Sequence, residues 1–383
     1  MPYAGGPPAG VQPAVFVPDG ALDAWYASRG QAGQEIVAVA GIGDSILRGH
    51  YATARSNAHF WARLVAALQA KYGGAGEGFK PVSDTLDNAY TYASFSAVAE
   101  PCWTFTPAGA WNQYGATYGV GGQAHQSPAG SGVAAGLFSG TGVDLIGLRQ
   151  PGGGPYTVSI DGVPYDAYGA PNGAGGDASA YAAVATSPAT LFSARGLARG
   201  RHTVTAGPRA GLLWLHGLVA YDGVGRGILP YNMAYSGKSA YQMLLNTRVD
   251  SAKASVAGWA IPPKLVIVEH IVNDMQQGVA FDTYEALSRR LCDAAKMAGA
   301  SILFVIPFAG PMAGAWANVG TAHAYIDRVS NLARRHGAAV LDVNAAWEAL
   351  GPAAAASFIG NGDAHPVDAG HRDIAARLIG LLV

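Results

Sequence analysis

The run Ile36-Val-Ala-Val-Ala40 has no polar position, and Gly41 and Gly43 then break it. A strand with no polar alternate is buried on both faces, which only a parallel sheet covered by helices provides. Lys264-Leu-Val-Ile-Val268 and Ser301-Ile-Leu-Phe-Val-Ile306 (closed by Pro307) read as further buried strands, and Ala339-Val-Leu-Asp-Val343 as another strand. Helical spacing falls in the remaining segments. Asn57 to Tyr72 places Phe60, Leu64, Ala67 and Leu68 on one face, and Tyr284 to Met297 does so with Leu287, Leu291, Ala294 and Ala295. Tyr325 to His336 ends at Gly337, and His371 to Leu382 closes the chain. A short helix is expected over Leu22 to Ser28. Alternation of this kind predicts a doubly wound, three-layer α/β fold of flavodoxin-like type. Such folds place ligands at the C-terminal edge of the sheet. Asp44 and Ser45 follow the first run at that edge, and a serine entering a helix there is positioned as a nucleophile.

Between these parts the texture changes. From about Phe79 to residue 222, Tyr, Ser, Thr and Gly dominate and no long helical pattern survives. Val143 to Arg149 and Tyr156 to Ile160 alternate, and Asp161-Gly162 is the turn chemistry of a two-residue hairpin. Arg201 to Thr205 and Leu212 to Ala220 read as further strands. Short strands between Gly-rich turns predict an inserted all-β, jelly-roll-like sandwich. The organisation expected is an N-terminal Pro/Gly-rich linker over 1–30, a discontinuous α/β domain over 31–99 and 223–383, and the insert over 100–222.

Composition removes several function classes. Half of the residues are hydrophobic and 13% are charged, which is ample for a core and argues against disorder. A net charge of −1 gives no electrostatic reason to bind nucleic acid. Two cysteines, Cys102 and Cys292, make neither a disulfide framework nor a zinc cage. No apolar run is long enough to span a membrane. Met1-Pro-Tyr-Ala-Gly-Gly-Pro-Pro lacks the basic and apolar regions of a signal peptide, an exported parent with its leader removed being left open. The compartment stays open among extracellular, cell-surface and virion-associated.

Four pieces carry the chemistry, in chain order: Gly43-Asp44-Ser45-Ile46; Asn232-Met-Ala-Tyr-Ser-Gly237-Lys-Ser239; Asn273-Asp274 after the apolar strand 264–268; and Asp363-Ala-His365-Pro366 with Gly370-His371. Together they resemble blocks I, II, III and V of the GDSL/SGNH hydrolases over about residues 35–80 and 225–383. The resemblance implies an acyl-transfer site without cofactor or metal. It makes Ser45 the nucleophile, His365 the general base and Asp363 the residue orienting the imidazole. It also implies an oxyanion hole from the Ser45 N–H, the Gly237 N–H and the Asn273 amide. The residue types suit the reaction: a serine must lose a proton as it attacks, and imidazole takes and returns protons near neutral pH. The developing oxyanion needs preorganised donors.

Two positions depart from the family pattern. The aspartate three before the histidine is replaced by Gly362, so either Asp363 reaches the imidazole through a tighter loop or the site is a Ser–His dyad oriented by a backbone carbonyl. The block III glycine is Ile271. Local alternatives stand beside the catalytic roles. Asn273 and Asp274 are also good helix caps. Asp363, His365, Asp368 and His371 do not complete a metal ligand set. Gly237-Lys-Ser239 lacks the first glycine of a phosphate loop, since residue 232 is Asn. The G-x-S-x-G elbow is absent, with Leu47 at the second glycine. His50, His59, His125, His216, His270 and His323 have no partner spacing.

The insert brings Trp103, Phe105, Trp111, Tyr114, Tyr118 and Trp214. Such faces stack on sugars or fill a core. Several polysaccharide esterases resembling this family carry carbohydrate-binding-like sandwiches. The expectation is therefore a serine esterase for short acyl esters, O-acetyl groups on an acylated carbohydrate above all. The alternative is a glycan-binding or structural module, such as a phage tail component, with weak or no catalysis. A lipase or thioesterase is the third reading.

Overall fold

A computed structural model describes residues 14–53, 57–82, 102–107, 110–113, 120, 124–127, 130, 132–173, 176–244, 251–307, 319–360 and 365–383. Five parallel strands, Ile36–Gly43, Gly227–Asn232, Pro263–Glu269, Ser301–Ile306 and Ala339–Asp342, form the centre of the sheet. Numbered along the chain they stand in the order 2-1-3-4-5, the flavodoxin-like arrangement. Ile36–Gly43 and Pro263–Glu269 are buried at nearly every position, so both faces of the sheet are covered. One set of helices, Asp23–Arg29, Phe60–Tyr72 and Asp368–Leu382, packs through the Trp25 indole donating to the Leu382 carbonyl and through the Phe60–Tyr72 contact with the last helix. Another set, Ala240–Leu244, Ser251–Val256, Phe281–Met297 and Val319–Arg335, packs around Phe281–Met297. The expected three-layer α/β architecture is what the strands form. Among the described residues no helix is long and apolar enough to cross a membrane.

In this fold the order of strands reverses between Ile36–Gly43 and its two neighbours, Gly227–Asn232 and Pro263–Glu269. The C-terminal ends of the first and third strands define the switch point where α/β sheets hold ligands. Ser45 follows the first strand, and Asn273 follows the third.

Two elements differ from the sequence reading. Val15–Phe16, inside the stretch read as linker, is an antiparallel edge strand on Ala339–Asp342. Gly227–Asn232 contains Pro230, which argues against a central strand because it cannot donate to a ladder. It fits because its other neighbour there, Gly78–Pro81, pairs with it only at Tyr231↔Phe79. A Cβ at Gly78 would stand 1.8 Å from the Pro230 carbonyl oxygen, so the two backbones touch.

The strands of the middle region continue from this sheet. Leu213–Tyr221 pairs antiparallel with Gly78–Pro81 on one side and with Val133–Arg149 on the other. Val133–Arg149 and Thr186–Pro208 pair along most of their length, with register shifts that bend the ribbon, and Pro155–Ile160 follows. Asp161 and Gly162 have φ of 52° and 80°, the positive pair a type I′ hairpin turn needs. A second apolar cluster lies within these strands, separate from that of the parallel sheet. Trp103 and Trp111 belong to it, and Trp214 is buried in a small cluster of its own. Phe105 is half-buried on Trp111 and His125, while Tyr114 and Tyr118 lie outside the described residues. Trp103, Trp111 and Trp214 thus fill apolar interiors.

Candidate active site

The first strand ends against its neighbour. A Cβ at Gly43 would stand 2.3 Å from the Glu269 carbonyl oxygen, so only glycine lets the strands close there. The Asp44 N–H donates to that same carbonyl at 3.0 Å. Asp44 then caps the four-residue helix Ser45–Arg48, its Oδ1 accepting from the Ile46 N–H at 2.9 Å. The Leu47 N–H is taken by Glu269 Oε2 at 3.0 Å. The Ser45 N–H makes no bond among the described residues. Gly49 closes the turn in the left-handed region at φ 90°, and a Cβ there would meet the His59 ring at 2.7 Å.

His365 sits in a narrow loop closed by an Ile359↔Pro366 bridge and by the Gly360 N–H donating to the His365 carbonyl. Its Nε2 lies 2.6 Å from Ser45 Oγ, across 320 residues of sequence. Asp363 belongs to 361–364 of this loop and lies outside the described residues. The His50 ring packs 4.2 Å from the His365 ring, and Tyr51, at φ 61°, lies 5.7 Å from it. The His371 Nε2–H donates to the His50 carbonyl oxygen at 3.2 Å. Burial lowers the His371 imidazole to about 4, so it is neutral and fixed in this tautomer.

The third and second pieces are stitched together. Asn273 is the second residue of Val272–Gln276 and is buried, and its Nδ2 meets no acceptor among the described residues. Asp274 Oδ2 accepts from the Ala240 N–H at 2.7 Å, and Gln277 Nε2 donates to the Gly237 carbonyl at 3.0 Å. Burial, with the charge of Asp44 adding to it, pushes the Asp274 carboxyl up to about 7. Met233 and Tyr235 donate their N–H groups to the carbonyls of Gly41 and Gly43. Gly237, at φ 73°, lies two residues beyond that anchor. Among the described residues no group of His, Cys, Asp and Glu is arranged to hold a metal.

The structure thus brings Ser45 and His365 into contact and anchors the segments carrying Gly237 and Asn273 to the strand end that bears Ser45. It also adds Glu269 and His50, which the motif reading does not single out. Glu269 had a signal of its own, since an acidic residue ends an otherwise apolar run four positions before Asn273.

The α/β sheet, with a Ser–His pair at its switch point, resembles the SGNH hydrolase fold. Residues 199–372 match the GDSL-like Lipase/Acylhydrolase family. The match spans the Gly237, Asn273 and His365 pieces and leaves Ser45 outside it. The structure is similar to that of a peptidoglycan O-acetylesterase, with a TM-score of 0.62 and 14% identity over 96% of this chain and 98% of the other. A family two carbohydrate esterase from Clostridium thermocellum matches with a TM-score of 0.26 and 12% identity, over 71% of this chain and 98% of that one. The lipase/acylhydrolase from Enterococcus faecalis matches with a TM-score of 0.32 and 15% identity, over 41% and 76%. Only the first of these bears on the fold. No curated protein sequence is significantly similar to this chain.

Proposed function

We propose that this chain is a serine esterase releasing short acyl groups, with O-acetyl esters of a carbohydrate as the substrate class. The 2.6 Å contact between Ser45 Oγ and His365 Nε2 carries the reading. In the reaction His365 Nε2 takes the Ser45 hydroxyl proton as Oγ bonds to the ester carbonyl carbon. The resulting oxyanion is held by the Ser45 N–H, the Gly237 N–H and the Asn273 amide. On collapse the carbon–oxygen bond to the sugar breaks, and His365 returns its proton to the leaving hydroxyl. A water, deprotonated by His365, then hydrolyses the acyl-serine, releasing the carboxylic acid and restoring the Ser45 hydroxyl. Asp363 is assigned to hold the imidazole tautomer. The preference for acetyl on a carbohydrate rests on analogy with the peptidoglycan O-acetylesterase, whose likeness runs through the inserted strands.

The test is p-nitrophenyl acetate hydrolysis together with acetate release from an O-acetylated polysaccharide. Ser45→Ala should lower kcat by about 10⁴-fold or more, as loss of a nucleophile does in serine hydrolases, with the fold unchanged. A fluorophosphonate should modify Ser45 and no other serine. Equal turnover by wild type and Ser45→Ala would end the esterase reading. Faster turnover of long-chain than of acetyl esters would end its acetyl part.

A further inference from the structure

Beneath the nucleophile turn lie two carboxyls that acyl transfer does not use. Asp44 and Glu269 are both fully buried, and they arrive from different strands, 225 residues apart in sequence by subtraction of their numbers. Each spends one oxygen on the turn. Asp44 Oδ1 accepts from Ile46 N–H, and Glu269 Oε2 accepts from Leu47 N–H. The turn that carries Ser45 is therefore capped twice, once by its own neighbour and once across the strand pair. The second oxygens, Asp44 Oδ2 and Glu269 Oε1, meet no donor among the described residues. Two buried oxygens without a donor are costly, and two buried like charges in contact more so. One proton between the carboxyls removes both difficulties, because it makes one of them the donor to the other.

We propose that Glu269 is a positioning residue for Ser45, and that Glu269 and Asp44 hold one shared proton while their other oxygens fix the nucleophile turn. This rests on the esterase reading above for its catalytic consequence, though not for the proton. Burial raises both carboxyls, Glu269 well above the usual carboxylate range, with the Asp44 charge and the carboxyl–carboxyl contact adding to it. Three further titratable groups face the pair. His365 comes from the loop before the last helix, Asp274 from Val272–Gln276 and Tyr284 from Phe281–Met297. Losing the shared proton at alkaline pH places two charges under the turn and loosens it.

Glu269→Gln keeps an acceptor for Leu47 N–H and supplies a permanent donor to Asp44, whereas Glu269→Ala removes both. On p-nitrophenyl acetate, Glu269→Gln should hold kcat within about threefold of wild type and move the alkaline limb of the pH profile upward. Glu269→Ala should lower kcat about 100-fold, leave KM within about threefold and slow fluorophosphonate labelling of Ser45 in parallel. Infrared difference spectra at neutral pH read the proton without catalysis. Glu269→Gln should show one protonated-carboxyl C=O band fewer than wild type, while Ser45→Ala keeps that band. If Ser45→Ala proves as active as wild type while the band is present, the esterase reading has failed and the shared proton stands. The inference is overturned if the band is missing, if Glu269→Gln is as impaired as an alanine variant, or if its alkaline limb coincides with that of wild type.

Discussion

The Asn273 side chain is 6% exposed, and its Nδ2 donor has no acceptor among the described residues. An unpartnered buried amide costs about 1–3 kcal/mol, so its retention calls for an acceptor that arrives later. The developing oxyanion is such an acceptor. Removing a donor of this kind lowers kcat by about 10²–10³, or 2.7–4 kcal/mol of barrier. Asn273→Ala should therefore lose that much in kcat on p-nitrophenyl acetate with KM little changed. Its stability in urea should equal or exceed that of wild type, because an unsatisfied group has gone. A stability loss that accompanies and accounts for the activity loss would reduce Asn273 to a structural residue.

At the scale of elements, the last helix is the part that sets His365 against Ser45. Asp368, its first residue, accepts from both the N–H and the hydroxyl of Thr53 at 2.9 and 2.6 Å. One turn on, His371 donates to the His50 carbonyl. These bonds tie the segment after the nucleophile turn to the segment after His365. His371 gives the tie a pH dependence. Its imidazole takes a proton near 6.5 when unfolded and, through burial, only near 4 in the fold. The unfolded state therefore binds more protons between these values. Stability is fully present above pH 6.5 and is lost as pH falls toward 4, with a slope of up to about 1.4 kcal/mol per pH unit. His371→Gln removes this contribution, so the stability gap between variant and wild type in urea should narrow from pH 7 to pH 5. Parallel losses in the two proteins would show that His371 does not titrate on unfolding. What the amino-acid pattern revealed has the same local character as helix ends and strand runs. Ser301–Ile306 shows its period within six residues, and the Asp161-Gly162 turn needs only two. The block residues Ser45, Asn273 and His365 were legible because each sits at an element end. The Glu269 bond to Leu47, at a separation of 222 residues, leaves no trace in local spacing. Gly227–Asn232 was hidden by Pro230, and the core role of Trp103 and Trp111 by a composition equally suited to sugar stacking.

At the scale of the molecule, two apolar cores share one strand. Along Leu213–Tyr221, Val219 and Tyr221 belong to the core of the parallel sheet, while Leu213, Leu215, Leu218 and Ala220 belong to the core of the middle strands. Neither core can open without exposing half of that strand. A polar knot secures the junction. Asp144, buried on Val133–Arg149, accepts from Ser193 Oγ at 2.6 Å and Tyr221 OH at 2.8 Å, and pairs with Arg195 at 2.7 Å. The Arg195 guanidinium also lies 4.0 Å over the Tyr221 ring. Arg195 is about half exposed, so water screens its pairing, and the larger cost of losing Asp144 falls on the buried Tyr221 hydroxyl left without an acceptor. That cost is about 1–3 kcal/mol. Calorimetry of the wild type should thus give one transition with equal calorimetric and van't Hoff enthalpies, although the chain carries two cores. Asp144→Ala should lower the melting temperature and separate the enthalpies, because the knot is cut while both cores stay intact. Two resolved transitions in the wild type would mean that the shared strand does not couple the cores, and that the middle region melts as a unit of its own.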